Sequence, residues 1–283
     1  MRVTLLTRRH VLLLVCTICL GCSVSQPERP FVLVTVPPQG WLVDHLAGDW
    51  VESYVLVPPG AHPGSYAPGQ RAMRYVSQAE LYLTLGNPHF PFERVWVDRI
   101  PAQNANLRIR PASDGEGHMD PHMWTSLTGT RQLATVAAKA LIELLPAHEG
   151  DIRDNLADVL RRIDTIQETL EQTLAQRPGD RFYVFHPAWG AAAEEWGLEQ
   201  VAIEEEGKEP SPNHLANVVQ QAREDSVRYI LVQPQFSQHG AQTVAEAIGA
   251  ELLFLDPLQA DWPAGMAQFT EALAKALVHE AQP

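Results

Sequence analysis

Two short histidine motifs hold the residues best suited to chemistry. Asp120-Pro121-His122-Met123-Trp124 lies near the end of the first half of the chain, and Phe185-His186-Pro187-Ala188-Trp189-Gly190 opens the second. Each follows a segment that reads as a β-strand, so each imidazole emerges at a strand's carboxyl end. Open parallel sheets place their ligand crevices there. Two halves that each bring a His to such a crevice predict a metal ion held between two lobes.

Two further strand ends complete a ligand set. Ser53–Val57 leads into Pro58-Pro59-Gly60-Ala61-His62-Pro63-Gly64, and Glu251–Leu255 leads into Asp256-Pro257. His62, His122, His186 and Asp256 make three imidazoles and one carboxylate, a set that four-coordinate zinc accepts; manganese, which prefers more oxygen, ranks second. Each member also has an ordinary reading. A His after a strand commonly serves a loop or a cap, and an Asp before Pro is a frequent turn residue. The joint placement argues for metal. The other histidines read as structural, with two exceptions. His118 stands where it could recruit metal at the site mouth, and His89, in Gly86-Asn87-Pro88-His89, follows the strand at Leu81–Leu85 near the crevice edge. Glu204-Glu205-Glu206-Gly207 reads either as a solvated acidic turn or as carboxylates that orient an imidazole ligand or gate the cleft. No Gly-rich phosphate loop, no Ser/His/Asp arrangement and no HExxH helix is present, so serine-based catalysis has no foothold.

These loops must be carried by alternating strands and helices. β-rich runs at Phe31–Val36, Ser53–Val57, Leu81–Leu85 and Leu107–Ile109 are separated by helical segments such as Gln39–Asp49 and Gln70–Ala79. The second half repeats the plan with strands at Phe182–Phe185, Gln200–Ile203, Tyr229–Gln233 and Glu251–Leu255, and helices at Ala191–Trp196, Asn213–Asp225 and Ala241–Ile248. The pattern predicts an α/β protein of two lobes, each a roughly four-stranded parallel sheet with flanking helices. Between the lobes, Thr128–Leu145 has apolar spacing. Glu149–Gln176 repeats Ile152, Leu156, Val159, Leu160, Ile163, Ile166, Leu170 and Leu174 at three- and four-residue steps, an amphipathic helix. It covers barely four heptads, which favours a rigid connector over a coiled coil. The expected divisions are 1–22 leader, 23–30 tether, 31–146 first lobe, 147–177 connector and 178–283 second lobe.

The chain has 283 residues and a formal charge of −13. Arg2, Arg8 and Arg9 are the charged residues of the first 21 positions, so the remainder carries −16. Such a surface repels nucleic acid and anionic bilayers and mildly favours cations, although solubility alone would account for it. Arg8 and Arg9 precede an apolar run, Val11–Leu20, that is too short and too soon polar to be a stable span. Leu20-Gly21-Cys22-Ser23 then resembles a bacterial lipobox, with Cys22 as the acylated residue, although Cys19 stands where the pattern prefers Leu. A plain cleaved signal is the alternative, and Thr7-Arg8-Arg9 partly matches a twin-arginine signal. The 3 cysteines, Cys16, Cys19 and Cys22, all lie here, so the body has no disulfide and no thiolate ligand. That suits an oxidising compartment and leaves metal binding to His and carboxylate.

From Phe31 to the C-terminus the chain resembles the solute-binding lipoproteins of zinc and manganese ABC transporters. The resemblance rests on Val57-Pro58-Pro59-Gly60, the two histidine motifs, Ile203–Pro212, Val232-Gln233-Pro234-Gln235-Phe236-Ser237 and Leu255-Asp256-Pro257-Leu258. It implies two lobes about a rigid helix, no catalysis, His122 and His186 as the second and third ligand histidines and Asp256 as the acidic ligand. It further implies delivery of Zn²⁺, with Mn²⁺ second, to an ABC permease and its ATPase by a monomer held outside the cytoplasmic membrane through a lipid anchor. The first loop departs from the family. The usual Pro-Gly-x-x-Pro-His here has Gly64 at the ligand place, with His62 two residues earlier. The rivals are a secreted zinc hydrolase built on His122, His186 and Asp256 with a water position, and a metal chaperone or adhesin without a transporter.

Overall fold

The computed structural model describes residues 29–113, 120–175, 177, 179–205, 207–236 and 239–277. The leader 1–22 with Cys22, the tether up to 28, His118, Gln176, Glu206, Ser237 and the end from 278 lie outside the described residues.

The first lobe runs β1 (Phe31–Val34), α1 (Pro37–Ala47), β2 (Glu52–Val55), α2 (Gln70–Gln78), β3 (Leu81–Thr84), α3 (Pro91–Trp96) and β4 (Arg108–Pro111). Its four strands lie in the order β2-β1-β3-β4, all parallel, with Val32 opposite both Ser53 and Leu81. α4 (Leu127–Leu144) and α5 (Glu149–Leu174) then lead to the second lobe: β5 (Arg181–Val184), α6 (Gly190–Trp196), β6 (Glu199–Ala202), α7 (Pro212–Glu224), β7 (Tyr229–Val232), α8 (His239–Ile248), β8 (Glu251–Phe254) and α9 (Trp262–Ala276). The second sheet is also parallel, in the matching order β6-β5-β7-β8. The central strands are covered on both faces, and Val32, Leu33, Val34, Ile230, Leu231 and Val232 are wholly buried. This double covering is why they read as continuous apolar runs rather than as alternating ones.

Every expected strand forms, with bounds within two residues. Two helices were not anticipated. α3 has 6 residues, too few for a period to register. α9 carries legible signals: Asp261 caps it by accepting from Ala264 N, and Pro263 lies in its first turn.

In each sheet the chain first steps one way from the founding strand and then returns to its other side. The crevice therefore opens at the carboxyl ends of β1 and β3 in one lobe and of β5 and β7 in the other. In the first lobe this switch point is braced by a buried polar network. The Tyr82 hydroxyl donates to Thr35 Oγ1 (3.0 Å), which donates to Glu93 Oε1 (2.5 Å). The Glu93 carboxylate also accepts from the backbone N–H groups of Leu85 and Gly86. Gly86 has φ +76°, and a Cβ there would stand 2.1 Å from Ser113 O, so only glycine fits.

α5, 26 residues long, spans about 39 Å at 1.5 Å per residue and buries Ile152, Val159, Ile163, Leu170 and Leu174. It packs on α1 and α4 from one lobe and α9 from the other. One apolar cluster runs from Val32 and Leu83 through Trp124, Leu141 and Ile163 to Trp189, Leu231 and Phe269, so the two lobes share a core. A second cluster, around Tyr183, Ile230 and Val244, belongs to the second sheet's other face.

Candidate metal centre

His186 stands two residues beyond β5, at the second lobe's switch point. Its backbone is pinned by Gln233, which follows β7: His186 N donates to Gln233 Oε1 (3.1 Å) and Gln233 Nε2 donates to His186 O (2.6 Å). The ring lies on Phe236, with centroids 4.3 Å apart and planes 21° apart. Its Nδ1 faces Glu204 Oε1 at 2.8 Å. Glu204 follows β6 and is 93% buried, at 7% exposure; its Oε1 also accepts from Gly207 N.

His122 reaches the same place from the loop after β4. Both its backbone N–H and its Nδ1 meet Asp120 Oδ1 at 2.8 Å. Phe90 and Trp124 stand edge-on to the ring. The other Asp120 oxygen, Oδ2, accepts from Ala191 N at the start of α6, 2.9 Å away. Asp120 thus fixes one imidazole and ties the first lobe's loop to the second lobe. A Cβ on Gly190 would come within 2.1 Å of that Oδ2, so the glycine of the second histidine motif makes room for the carboxylate of the first.

The two imidazoles meet Nε2 to Nε2 at 3.3 Å. An ionised carboxylate can only accept, so each Nδ1 carries a proton, and in the neutral imidazole the lone pair is then on Nε2. Tetrahedral zinc with Zn–N bonds of 2.0–2.1 Å separates two nitrogens by about 3.3–3.4 Å. The pair already has that spacing, Nε2 to Nε2. Burial pushes the pKa of His186 below the usual histidine value, and the neighbouring His122 pushes the same way against Glu204. Burial raises the Asp120 carboxyl, but the bonds from His122 and Ala191 outweigh it and leave the group below the ordinary aspartate value. A neutral imidazole and an ionised carboxylate are the forms that metal ligation needs.

The other two sequence candidates are placed differently. His62 lines the same cavity, of about 810 Å³, together with His89, Arg94, Trp124 and Gln235. Its ring meets Phe236 edge-on at 4.5 Å. Its Nδ1 accepts from Gly64 N at 2.9 Å, so Nδ1 holds the lone pair and Nε2 carries the proton. That tautomer is the reverse of the one in His122 and His186. Asp256 stands behind the cleft wall: Pro257 and Leu258 line the cavity, while Asp256 lines a separate small cavity with Trp124, Trp189 and Trp262. Its Oδ1 accepts from Gln235 Nε2 (2.6 Å) and Leu258 N (2.8 Å). Among the described residues no three His, Cys, Asp or Glu side chains are gathered closely enough to hold an ion as they stand; the assembled part is the His122–His186 pair. Glu204, on the Nδ1 side of His186, lies across the ring from Nε2 and orients the imidazole.

Sequence reasoning assigned no role to Asp120, Gln233, Gln235 or Phe236. Asp120 was visible inside its motif. The segment Val232–Phe236 counted toward a resemblance, but nothing in its composition said that one loop would touch His62, His186 and Asp256.

Similarity to known proteins agrees with this geometry. A crystal structure of ZnuA superposes with a TM-score of 0.84 and 32% identity, covering 89% of this chain and all of that one. The binding protein FpvC of Pseudomonas aeruginosa, solved with Mn²⁺, shares the fold at a TM-score of 0.76 and 21% identity, over 88% of this chain and 99% of that one. The high-affinity zinc uptake system protein ZnuA of Bacillus subtilis is 22% identical over 261 residues, 84% of this chain and 82% of that protein. A putative metal-binding protein of Treponema pallidum is 23% identical over 264 residues, 82% of each chain. The family model for the periplasmic component A of the zinc-uptake complex matches residues 32–276, and with two parallel sheets about a long helix and two imidazoles meeting between them, the chain belongs to that family.

Proposed function

We propose that the protein captures Zn²⁺ between its lobes and delivers it to an ABC permease driven by its ATPase, without catalysing a reaction. The carrying observation is the His122–His186 pair: one imidazole from each lobe, 3.3 Å apart at Nε2, each with Nδ1 on a carboxylate. The similar ZnuA deletion mutant solved with zinc bound, 33% identical at a TM-score of 0.82, supports zinc as the cargo, and the Mn²⁺-bound FpvC supports manganese as second choice. The proposed ligands are His122, His186 and Asp256. His62 can join them through Nδ1 by giving up the Gly64 N–H, or through Nε2 by also moving its proton. The lobes divide at 31–146 and 178–283 in this reading, and Cys22, outside the described residues, carries the lipid that holds the protein at the outer face of the membrane. The name of a similar protein, the zinc-binding lipoprotein AdcA of Streptococcus pneumoniae, supports the anchor; this chain spans 50% of its length.

The test is a competition titration of the metal-free protein against a chromogenic zinc chelator. One Zn²⁺ per chain is expected. His122→Ala and His186→Ala should each raise the dissociation constant more than tenfold, since losses even outside the ligand sphere cost about 10–100-fold. Unchanged affinity in both variants would overturn the metal cleft.

A further inference from the structure

Gln235 lines the cleft and hydrogen-bonds Asp256, and the loop carrying it reaches three of the four sequence candidates. Gln233 clamps the His186 backbone, Phe236 lies on the His186 ring and against His62, and Gln235 Nε2 donates to Asp256 Oδ1 at 2.6 Å. A carboxylate oxygen cannot donate, so this bond fixes the amide's orientation: nitrogen on Asp256, oxygen elsewhere. Asp256 Oδ1 holds a second donor, Leu258 N, which leaves Oδ2 as the oxygen free for a cation. Gln235 Oε1 is buried and has no hydrogen-bond partner, while the residue lines the cleft. A buried, unpartnered acceptor is unfavourable, and a donor arriving in the cleft relieves it.

As it stands, the first loop offers no free ligand atom: Gly64 has none, and both His62 nitrogens are engaged, Nδ1 by the Gly64 N–H and Nε2 by its own proton. Zinc commonly completes such a sphere with water, whose O–H bonds the metal polarises into strong donors.

We propose that Gln235 is a positioning residue that presents Asp256 through Nε2 and, through Oε1, accepts a hydrogen bond from a metal-bound water in the coordination position left open at Gly64. The assignment rests on the metal-capture reading. It makes the site two imidazoles, one carboxylate and one water rather than three imidazoles and a carboxylate. That is a more oxygen-rich sphere, one that manganese tolerates better.

The experiment uses the full chain, stripped of metal, in two measurements. In the first, Zn²⁺ affinity is compared for wild type and Gln235→Met, which keeps the side chain's length and loses both hydrogen bonds. The dissociation constant should rise about 10–100-fold, with the metal-free melting temperature unchanged. In the second, the Co²⁺-loaded wild type is titrated with thiocyanate while the visible absorption is followed. Displacement of the bound water should shift the bands, and in Gln235→Met the same shift should come at lower thiocyanate, because the water has lost its anchor. A merely structural role would not move that midpoint. A zinc affinity within twofold of wild type, or a tighter one, overturns the proposal; tightening would make the Gln235–Asp256 bond a competitor of the metal. A wild-type Co²⁺ spectrum indifferent to thiocyanate also overturns it, whatever the variant does, because the fourth position is then filled by a protein group. Each of these results leaves zinc capture standing. Failure of the wild type to take up Zn²⁺ or Co²⁺ removes the metal-capture reading itself.

Discussion

At the scale of single residues, the centre is a set of side chains each held by another. His122 is held by Asp120 and His186 by Glu204, and behind the cleft wall Asp256 accepts a hydrogen bond from Gln235. The Asp120 carboxylate has two tasks, because its second oxygen binds Ala191 N across the interlobe boundary. Asp120→Asn keeps the shape but places an amide NH2 against one of its donors, whichever way it is turned. The zinc dissociation constant should rise about 10–100-fold, measured by the same chelator competition. A change under twofold would make Asp120 a packing residue only. Gly190→Ala should have a similar effect by a different route, since its Cβ has no space beside Asp120 Oδ2. Acid should weaken capture in the wild type, because ligand imidazoles bind metal only when neutral. Burial holds His186 below the usual histidine value, so its own loss should come at a pH lower than that of an exposed histidine. A midpoint for metal release above the ordinary histidine range would contradict this.

At the scale of elements, the strand ends are set by what lies beneath them. In the first lobe that support is Glu93 on α3, buried to 3% exposure against Thr35, Leu85 and Gly86. Burial raises its pKa, although its three donors oppose the shift. For an acid raised on folding, the stabilisation is complete below the unfolded glutamate pKa and fades as pH rises through the folded value. Urea unfolding should therefore show stability declining with pH just above the ordinary glutamate range, and Glu93→Gln should flatten that decline. The variant should also lose about 1–3 kcal/mol, because its amide turns one acceptor into a donor facing a buried N–H. An unchanged slope would assign the decline to other groups. The strands themselves were legible because they are short apolar runs closed by Pro, Gly or polar residues. α3 was not, because one and a half turns carry no period.

At the scale of the whole molecule, the lobes are sewn together as well as bridged. Trp124 Nε1 donates to Pro257 O and Trp262 Nε1 donates to Trp124 O, both at 2.7 Å. Glu195 of α6 accepts from Leu127 N, Thr128 N and the Thr128 hydroxyl, capping the start of α4 from the other lobe. With α5 packed on both sides and a continuous apolar core, wide hinge closure would have to expose that core to water. Small-angle scattering should give nearly the same radius of gyration with and without Zn²⁺, capture being confined to loops such as 233–236. A large contraction on adding zinc would show that the lobes close. No helix among the described residues is long and apolar enough to cross a membrane; the lipid anchor proposed at Cys22 has its own test. Cys22→Ala, expressed in a bacterium with the leader intact, should remain unprocessed or be misprocessed rather than partition with membranes as a mature lipoprotein. Normal release of a mature soluble form would refute the lipobox.

The sequence alone determined the elements and the nominees. Local patterns, an apolar run for a strand or a three-four spacing for α5, report burial that each segment meets wherever it packs, and a His or Asp just past a strand is a local fact too. The spatial roles were decided by the tertiary structure, because they depend on which loop ends face each other across the cleft. His122 and His186 are 64 positions apart and meet at 3.3 Å only because two sheets of the same strand order open toward one another. Asp120 reaches Ala191, and Gln235 reaches Asp256, through the same convergence. His62 shows the limit most plainly. Its residue type and place nominate it as a ligand, but a single backbone bond from Gly64 sets which ring nitrogen holds the proton, and no spacing rule encodes a tautomer.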